Sequence, residues 1–141
     1  MVGIRIAPQS LARMKRKIRK LSRRNQGESW PEVCLRLRRA IVGWVNYYAL
    51  ADGRNHMIHL DEWLRRRMRQ MVWKQWKTTK NRYKQLKARG VTEFWSIRAG
   101  GTSKGIWRLS ASPPLHKALS NTYLTNAGLV SFLKQYELRR T

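Results

Sequence analysis

The chain has 141 residues, 42% of them hydrophobic, which suits one domain or two small ones with a buried core and argues against disorder throughout. Its 31 Lys and Arg stand against 7 Asp and Glu, a formal charge of +24, so a polyanion is the natural complement even if every acid is paired. The single cysteine, Cys34, excludes an internal disulfide and a cysteine-rich zinc site. No apolar signal core precedes Pro8 and no run approaches a membrane span, so a cytoplasmic location is expected.

An anionic membrane surface is the other polyanion to weigh. It calls for one long helix with a broad apolar face, whereas Gly, Pro and polar turn residues divide this chain into several short elements. Nucleic acid is therefore the expected partner, and no membrane is.

In chain order, Pro8 biases Ala7 towards an extended backbone, and Ser10 is the expected N-cap of a first helix ending near Asn25-Gln26-Gly27. Leu11, Met14, Ile18 and Leu21 share one face of it. Arg13, Lys15, Arg16, Lys17, Arg19, Lys20, Arg23 and Arg24 fill the rest with no acid between them. Ser29-Trp30-Pro31-Glu32 forms a capping box for a second helix, in which Val33, Leu37, Ile41, Trp44 and Tyr48 recur at core spacing. Gly43, in mid-helix, is expected to admit a backbone or a large ring at close range.

Asp52-Gly53 makes a turn, and a third helix is expected to start between Asn55 and Asp61. Asp61 and Glu62 would then lie in its early turns, favourable to the helix dipole and placed ahead of Arg65 and Arg66. Leu60, Leu64, Met68 and Met71 line one face, with Trp63, Trp73 and Trp76 beside a basic surface. Thr78-Thr79 breaks the chain, a fourth helix spans Lys80 to Arg89 before Gly90, and Thr92 caps a short helix from Glu93 to Arg98. Ala99 to Gly105 is a glycine-rich loop and Ile106 to Leu109 is extended. Ser112-Pro113-Pro114 opens a helix to about Ser120, and a last helix runs from about Asn126 to Leu138 with Leu129, Phe132, Leu133 and Tyr136 as its buried stripe.

The catalytic signals are weak. The acids are scattered, and the adjacent pair Asp61-Glu62 is accounted for by its place in a helix, so no two-cation centre is expected. His56 and His59 lack a completing carboxylate or cysteine and read as surface or turn residues. Cys34 reads as a packed thiol, since no histidine stands where it would activate it. Gly100 to Gly105 departs from a phosphate-binding loop because Ile106, not Lys and a hydroxyl residue, follows its last glycine. Its Lys104 remains a candidate phosphate contact. No enzyme activity, metal or cofactor is expected.

Binding remains. The candidate nucleic-acid contacts are the eight bases of helix one; Arg36 and Arg39 on helix two; Arg65, Arg66, Arg67, Arg69, Lys74 and Lys77 on and after helix three; Lys80, Arg82, Lys84 and Lys87 on helix four; and Lys104. Among the rings, Trp44, Tyr48 and Phe132 fit core spacing, whereas Trp73, Trp76 and Tyr83 are the candidates for exposure beside unpaired bases.

The order of these pieces resembles the maturase-specific region of group II intron reverse transcriptases. It is carried by Ile41-Val42-Gly43-Trp44-Val45-Asn46-Tyr47-Tyr48, by Leu60-Asp61-Glu62-Trp63-Leu64-Arg65-Arg66-Arg67-Met68-Arg69, and by Trp73-Lys74-Gln75-Trp76-Lys77. Later pieces continue it: Leu86-Lys87-Ala88-Arg89-Gly90-Val91, Gly105-Ile106-Trp107-Arg108-Leu109, His116-Lys117-Ala118-Leu119 and Asn126-Ala127-Gly128-Leu129.

The resemblance implies an all-α fold, with a thumb-like helical bundle over residues 1–77, also called domain X, and a helical DNA-binding-like extension over residues 78–141. It implies binding of structured group II intron RNA to assist splicing, with target DNA as a further partner in intron mobility. The paired aspartates after Tyr-Ala that mark the family's polymerase palm have no counterpart in this sequence, nor does its zinc-associated nuclease. Two alternatives stay open: a thumb that completes a separately encoded reverse transcriptase palm and fingers, or a general basic nucleic-acid binder.

Overall fold

A computed structural model describes residues 5–22, 30–101 and 110–140 of the chain. Helices take up 77% of the described residues and no strand occurs among them, so the fold is an all-α bundle. The elements are α1 (Pro8–Leu21), α2 (Trp30–Tyr47), α3 (Arg54–Gln75), α4 (Thr79–Ala88), α5 (Glu93–Gly100), α6 (Pro113–Ala118), α7 (Asn121–Asn126) and α8 (Phe132–Arg140).

Local chemistry sets most of the boundaries. Ala7 is extended at φ −67° and ψ 143°, and Pro8 opens α1. A proline there gives up only an N–H that has no helical partner. Ser10 is consequently not the cap. It lies inside the first turn, buried, and accepts hydrogen bonds from the Tyr48 hydroxyl at 2.9 Å and from Arg13 at 3.2 Å. The expected end of this helix at residues 25–27 and the cap Ser29 lie outside the described residues.

α3 starts at Arg54, so Asp61 and Glu62 stand in its second and third turns, and its first turn holds no acid. The dipole account of this pair therefore fails. α3 stops before Lys77, whose φ of 56° is left-handed, and Thr78 caps α4 by accepting from Asn81 N at 3.1 Å. Gly90 ends the turn after α4 at φ +86°. Thr92 then caps α5, as expected.

α5 continues through Gly100, into the stretch expected to be loop. The reason is packing: a Cβ on Gly100 would sit 3.3 Å from the carbonyl oxygen of Thr79 and from the amide nitrogen of Tyr83, so glycine lets α4 and α5 approach backbone to backbone. Gly101 follows as the C-cap of this helix, and residues 102–105 of that expected loop and the extended 106–109 lie outside the described residues. The expected final helix from Asn126 starts only at Phe132, as α8, because Gly128 at φ +106° breaks the chain and Ser131 starts the helix, accepting from Lys134 N at 3.2 Å; the short α7 before it is not among the expected elements.

By packing, the chain forms two units, residues 1–62 with 125–141, and residues 63–124. This cut differs from the sequence division at 77/78, since the last helix belongs with the first residues of the chain.

In the first unit α2 packs on α1 and α8. Its buried stripe is Val33, Cys34, Leu37, Ile41 and Val45. Trp44 and Tyr48, expected in that stripe, are only half-buried; Trp44 meets Phe132 edge-on at 5.9 Å. Gly43 is exposed, and among the described residues beyond its chain neighbours and its own helix backbone a Cβ there would meet nothing within 4 Å, so none of them is the expected close neighbour. After α2, Tyr136 donates to Ala51 O at 2.7 Å, and Arg140 donates to Ala49 O and Ala51 O, both at 3.0 Å, which satisfies carbonyls of the turn between α2 and α3.

In the second unit α4, α5 and α6 pack on one another. Trp73, Trp76, Leu86, Val91, Ala99, Leu115, Ala118 and Leu119 form its core.

Candidate nucleic-acid interface

On α1 the apolar positions Met14 and Ile18 are buried, and the other faces are left to base. Arg13, Arg16, Lys17, Arg19 and Lys20 are exposed and Lys15 is half-buried. Arg23 and Arg24 lie outside the described residues. On α2, Arg39 is exposed and Arg36 half-buried. With no acid in α1, the helix presents a surface of one sign, the kind of field that favours an anionic partner.

The basic run of α3 divides. Arg65, Arg66, Arg67 and Lys74 are half-buried and lie where side chains can still reach solvent. Arg69 does not. It is 2% exposed, donates to Leu119 O at 2.7 Å and to Asn121 Oδ1 at 2.8 Å, and so ties α3 to the end of α6 and the start of α7. Burial first, and the nearby Arg65 second, pull its guanidinium down to about 10. The reading of Arg69 as a phosphate contact is corrected: its donors are spent inside the protein.

The two tryptophans expected beside bases are also corrected. Trp73 is 1% and Trp76 9% exposed, with ring centroids 5.9 Å apart in the core of the second unit. Arg82 lies over the Trp73 ring at 4.7 Å and donates to Trp73 O at 3.2 Å, while Arg89 lies over Trp76 at 5.1 Å. Arg82 is thus committed to packing, and burial lowers its pKa. Tyr83 is half-buried and donates to Glu93 at 2.9 Å, which raises its pKa. Lys77, Lys80, Lys84 and Lys87 are exposed, and Lys104 lies outside the described residues. Glu93 is the one acid in residues 63–124, so this unit too is strongly basic.

Sequence spacing missed two exposed aromatic places. Tyr47, at the end of α2, is 81% exposed, and its ring meets Tyr48 edge-on at 4.9 Å. Phe94 and Trp95 on α5 are exposed too, with Arg98 over both rings at 5.3 and 6.0 Å. The signal was available in α5: an eight-residue helix buries a single narrow face, and Ser96, Ala99 and Gly100 occupy it.

Cys34 is buried, and burial pushes its thiol up to about 11, away from reactivity. His59 is exposed, 3.8 Å from Glu62. Among the described residues no three His, Cys, Asp or Glu side chains gather where they would hold a metal ion, and no helix is long and apolar enough to cross a membrane.

Residues 11–90, more than half of the chain, match the family model of the group II intron, maturase-specific domain. No curated protein matches the chain.

Proposed function

Because the chain belongs to the group II intron, maturase-specific domain family, we propose that it is an RNA-binding module that holds structured group II intron RNA and assists its splicing. The observation that carries this reading is the match over residues 11–90, which takes in the acid-free basic helix α1 and the basic run of α3. The module performs no reaction of its own. It acts by stabilising the folded RNA, since binding one state and not another shifts the equilibrium between them.

The phosphate-contacting set in this proposal is Arg13, Arg16, Lys17, Arg19 and Lys20 of α1, Arg39 of α2, Arg65 to Arg67 of α3, and the exposed lysines of and before α4. Target DNA is a secondary partner of the extension over residues 78–141, and a thumb that completes a separately encoded palm is the rival reading.

Competition binding at several salt concentrations, a group II intron RNA against a size-matched folded RNA, tests the proposal. A preference for the intron beyond about threefold at every salt supports it. Equal affinities with equally steep salt dependence leave a general nucleic-acid binder.

A further inference from the structure

We propose that the groove between α1 and α2 seats one unpaired nucleotide of the bound RNA, its base against Tyr47 and its phosphate between the flanking cations. The groove lies within the first unit, has a volume of about 380 Å³, and takes Arg13 and Lys17 from α1 and Arg39 from α2, with no acid in its lining. Its volume is in the range of small-ligand sites, roughly 300–1,000 Å³.

Two features of the groove are left unexplained by the fold. The first is Gly43. A glycine in the middle of an exposed helix weakens it, and is kept where something must come close. Among the described residues beyond its chain neighbours and its own helix backbone nothing does, since a Cβ there would meet none of their atoms within 4 Å, yet Gly43 lines the groove. The missing side chain leaves room for a ligand, not for a neighbouring helix.

The second is Tyr47. A ring 81% exposed contributes little to the core, but this one is positioned. Tyr48 holds it edge-on at 4.9 Å, and Tyr48 is itself fixed by its hydroxyl donating to the buried Ser10 at 2.9 Å. A ring kept in place with an open face, beside three cations, suits a nucleobase and its phosphate. Paired bases have no free face to offer, so the occupant is a loop, bulge or end nucleotide.

This inference rests on the RNA-binding reading, and its test separates the two. The probes are a hairpin RNA with 2-aminopurine in its loop and a blunt, fully paired RNA of equal length. The variants are Tyr47→Ala, which removes an exposed ring, and Gly43→Leu, which fills the groove with a good helix former. Wild type should quench the loop fluorophore and bind the hairpin more tightly. Each variant should bind the hairpin about fivefold or more weakly, the least that removing one base–ring stack costs, and change less than about twofold on the duplex. Unchanged hairpin affinity and quenching in both variants, with wild type still binding both RNAs, overturns the groove and leaves the RNA-binding reading standing. Failure of wild type to bind either RNA overturns both.

Discussion

The carboxylate of Asp61 accepts the backbone N–H of Phe132 at 2.6 Å. It also accepts Leu133 N at 3.1 Å and the Ser131 hydroxyl at 2.6 Å, so a side chain from the middle of α3 caps the N-terminus of α8. The helix dipole does act on Asp61, but it is the dipole of a helix some seventy residues further along the chain.

Asp61→Ala should therefore destabilise the protein by about 2–3 kcal/mol, the sum of a missing cap and of buried donors left without a charged acceptor. Glu62→Ala, at an exposed neighbour, should change stability by less than about 0.5 kcal/mol. Urea unfolding of the two variants checks this. Equal midpoints would mean that the cap contributes nothing.

The arginines should divide by burial. Replacing Arg13, Arg16 and Lys17 by Gln should leave the unfolding midpoint within error and weaken RNA binding. The slope of log K against log salt should fall by about 0.7–0.9 for each phosphate that is no longer neutralised. Arg69→Gln should cost about 2–4 kcal/mol of stability, because Leu119 O and Asn121 lose their buried donors. Salt-dependent binding and denaturant unfolding on one set of proteins measure both. Weaker binding by the Arg69 variant at unchanged stability would return this residue to the RNA surface.

Asp61 and Arg69 also show what is legible in the sequence. Capping and spacing define α4 and the start of α5 nearly residue by residue, since Thr78, Gly90 and Thr92 act on their immediate neighbours. Charge alone does not tell Arg69 from Arg66. What distinguishes Arg69 is that it shares one helix face with Trp73 and Trp76, at i, i+4 and i+7, and that face is packed. Asp61 misleads for a different reason: its partners come from the far end of the chain, and no local pattern records them. Gly43 stands out in the sequence for the right cause, its cost to a helix, but none of the described residues packed around its helix occupies the space it leaves.

His116 offers a pH readout. Burial first, and then the charges of Arg69 and Arg65, hold its imidazole below the ordinary 6.5. As pH falls through that ordinary value the unfolded chain takes up this proton before the folded one does, so His116 lowers stability from there down to its folded pKa, and has no such effect above 6.5. An NMR titration of the imidazole resonances should show the midpoint below 6.5 in the free protein. Saturating RNA should move it upward, because phosphates near Arg65 offset the cations that now oppose protonation. A midpoint that RNA leaves unchanged would place the bound phosphates away from Arg65.

Cys34 acts at the other end of the pH scale. Its thiol is buried in α2, where a Cβ on Gly128 would lie 3.9 Å from its own Cβ, and burial raises it from the ordinary 9.0 to about 11. The unfolded chain therefore sheds this proton first as pH rises. The contribution of the neutral, packed thiol to stability is whole below pH 9.0 and falls away progressively towards about 11. Lysines and tyrosines titrate over the same interval, so the comparison needed is with Cys34→Ala, which removes the thiol and keeps every other group. The wild-type chain should lose more stability than the variant between pH 9 and 11, and at neutral pH its thiol should react with iodoacetamide only as fast as the protein opens. Prompt alkylation of the native chain would mean that the thiol is open to solvent and not packed in α2 beside Gly128.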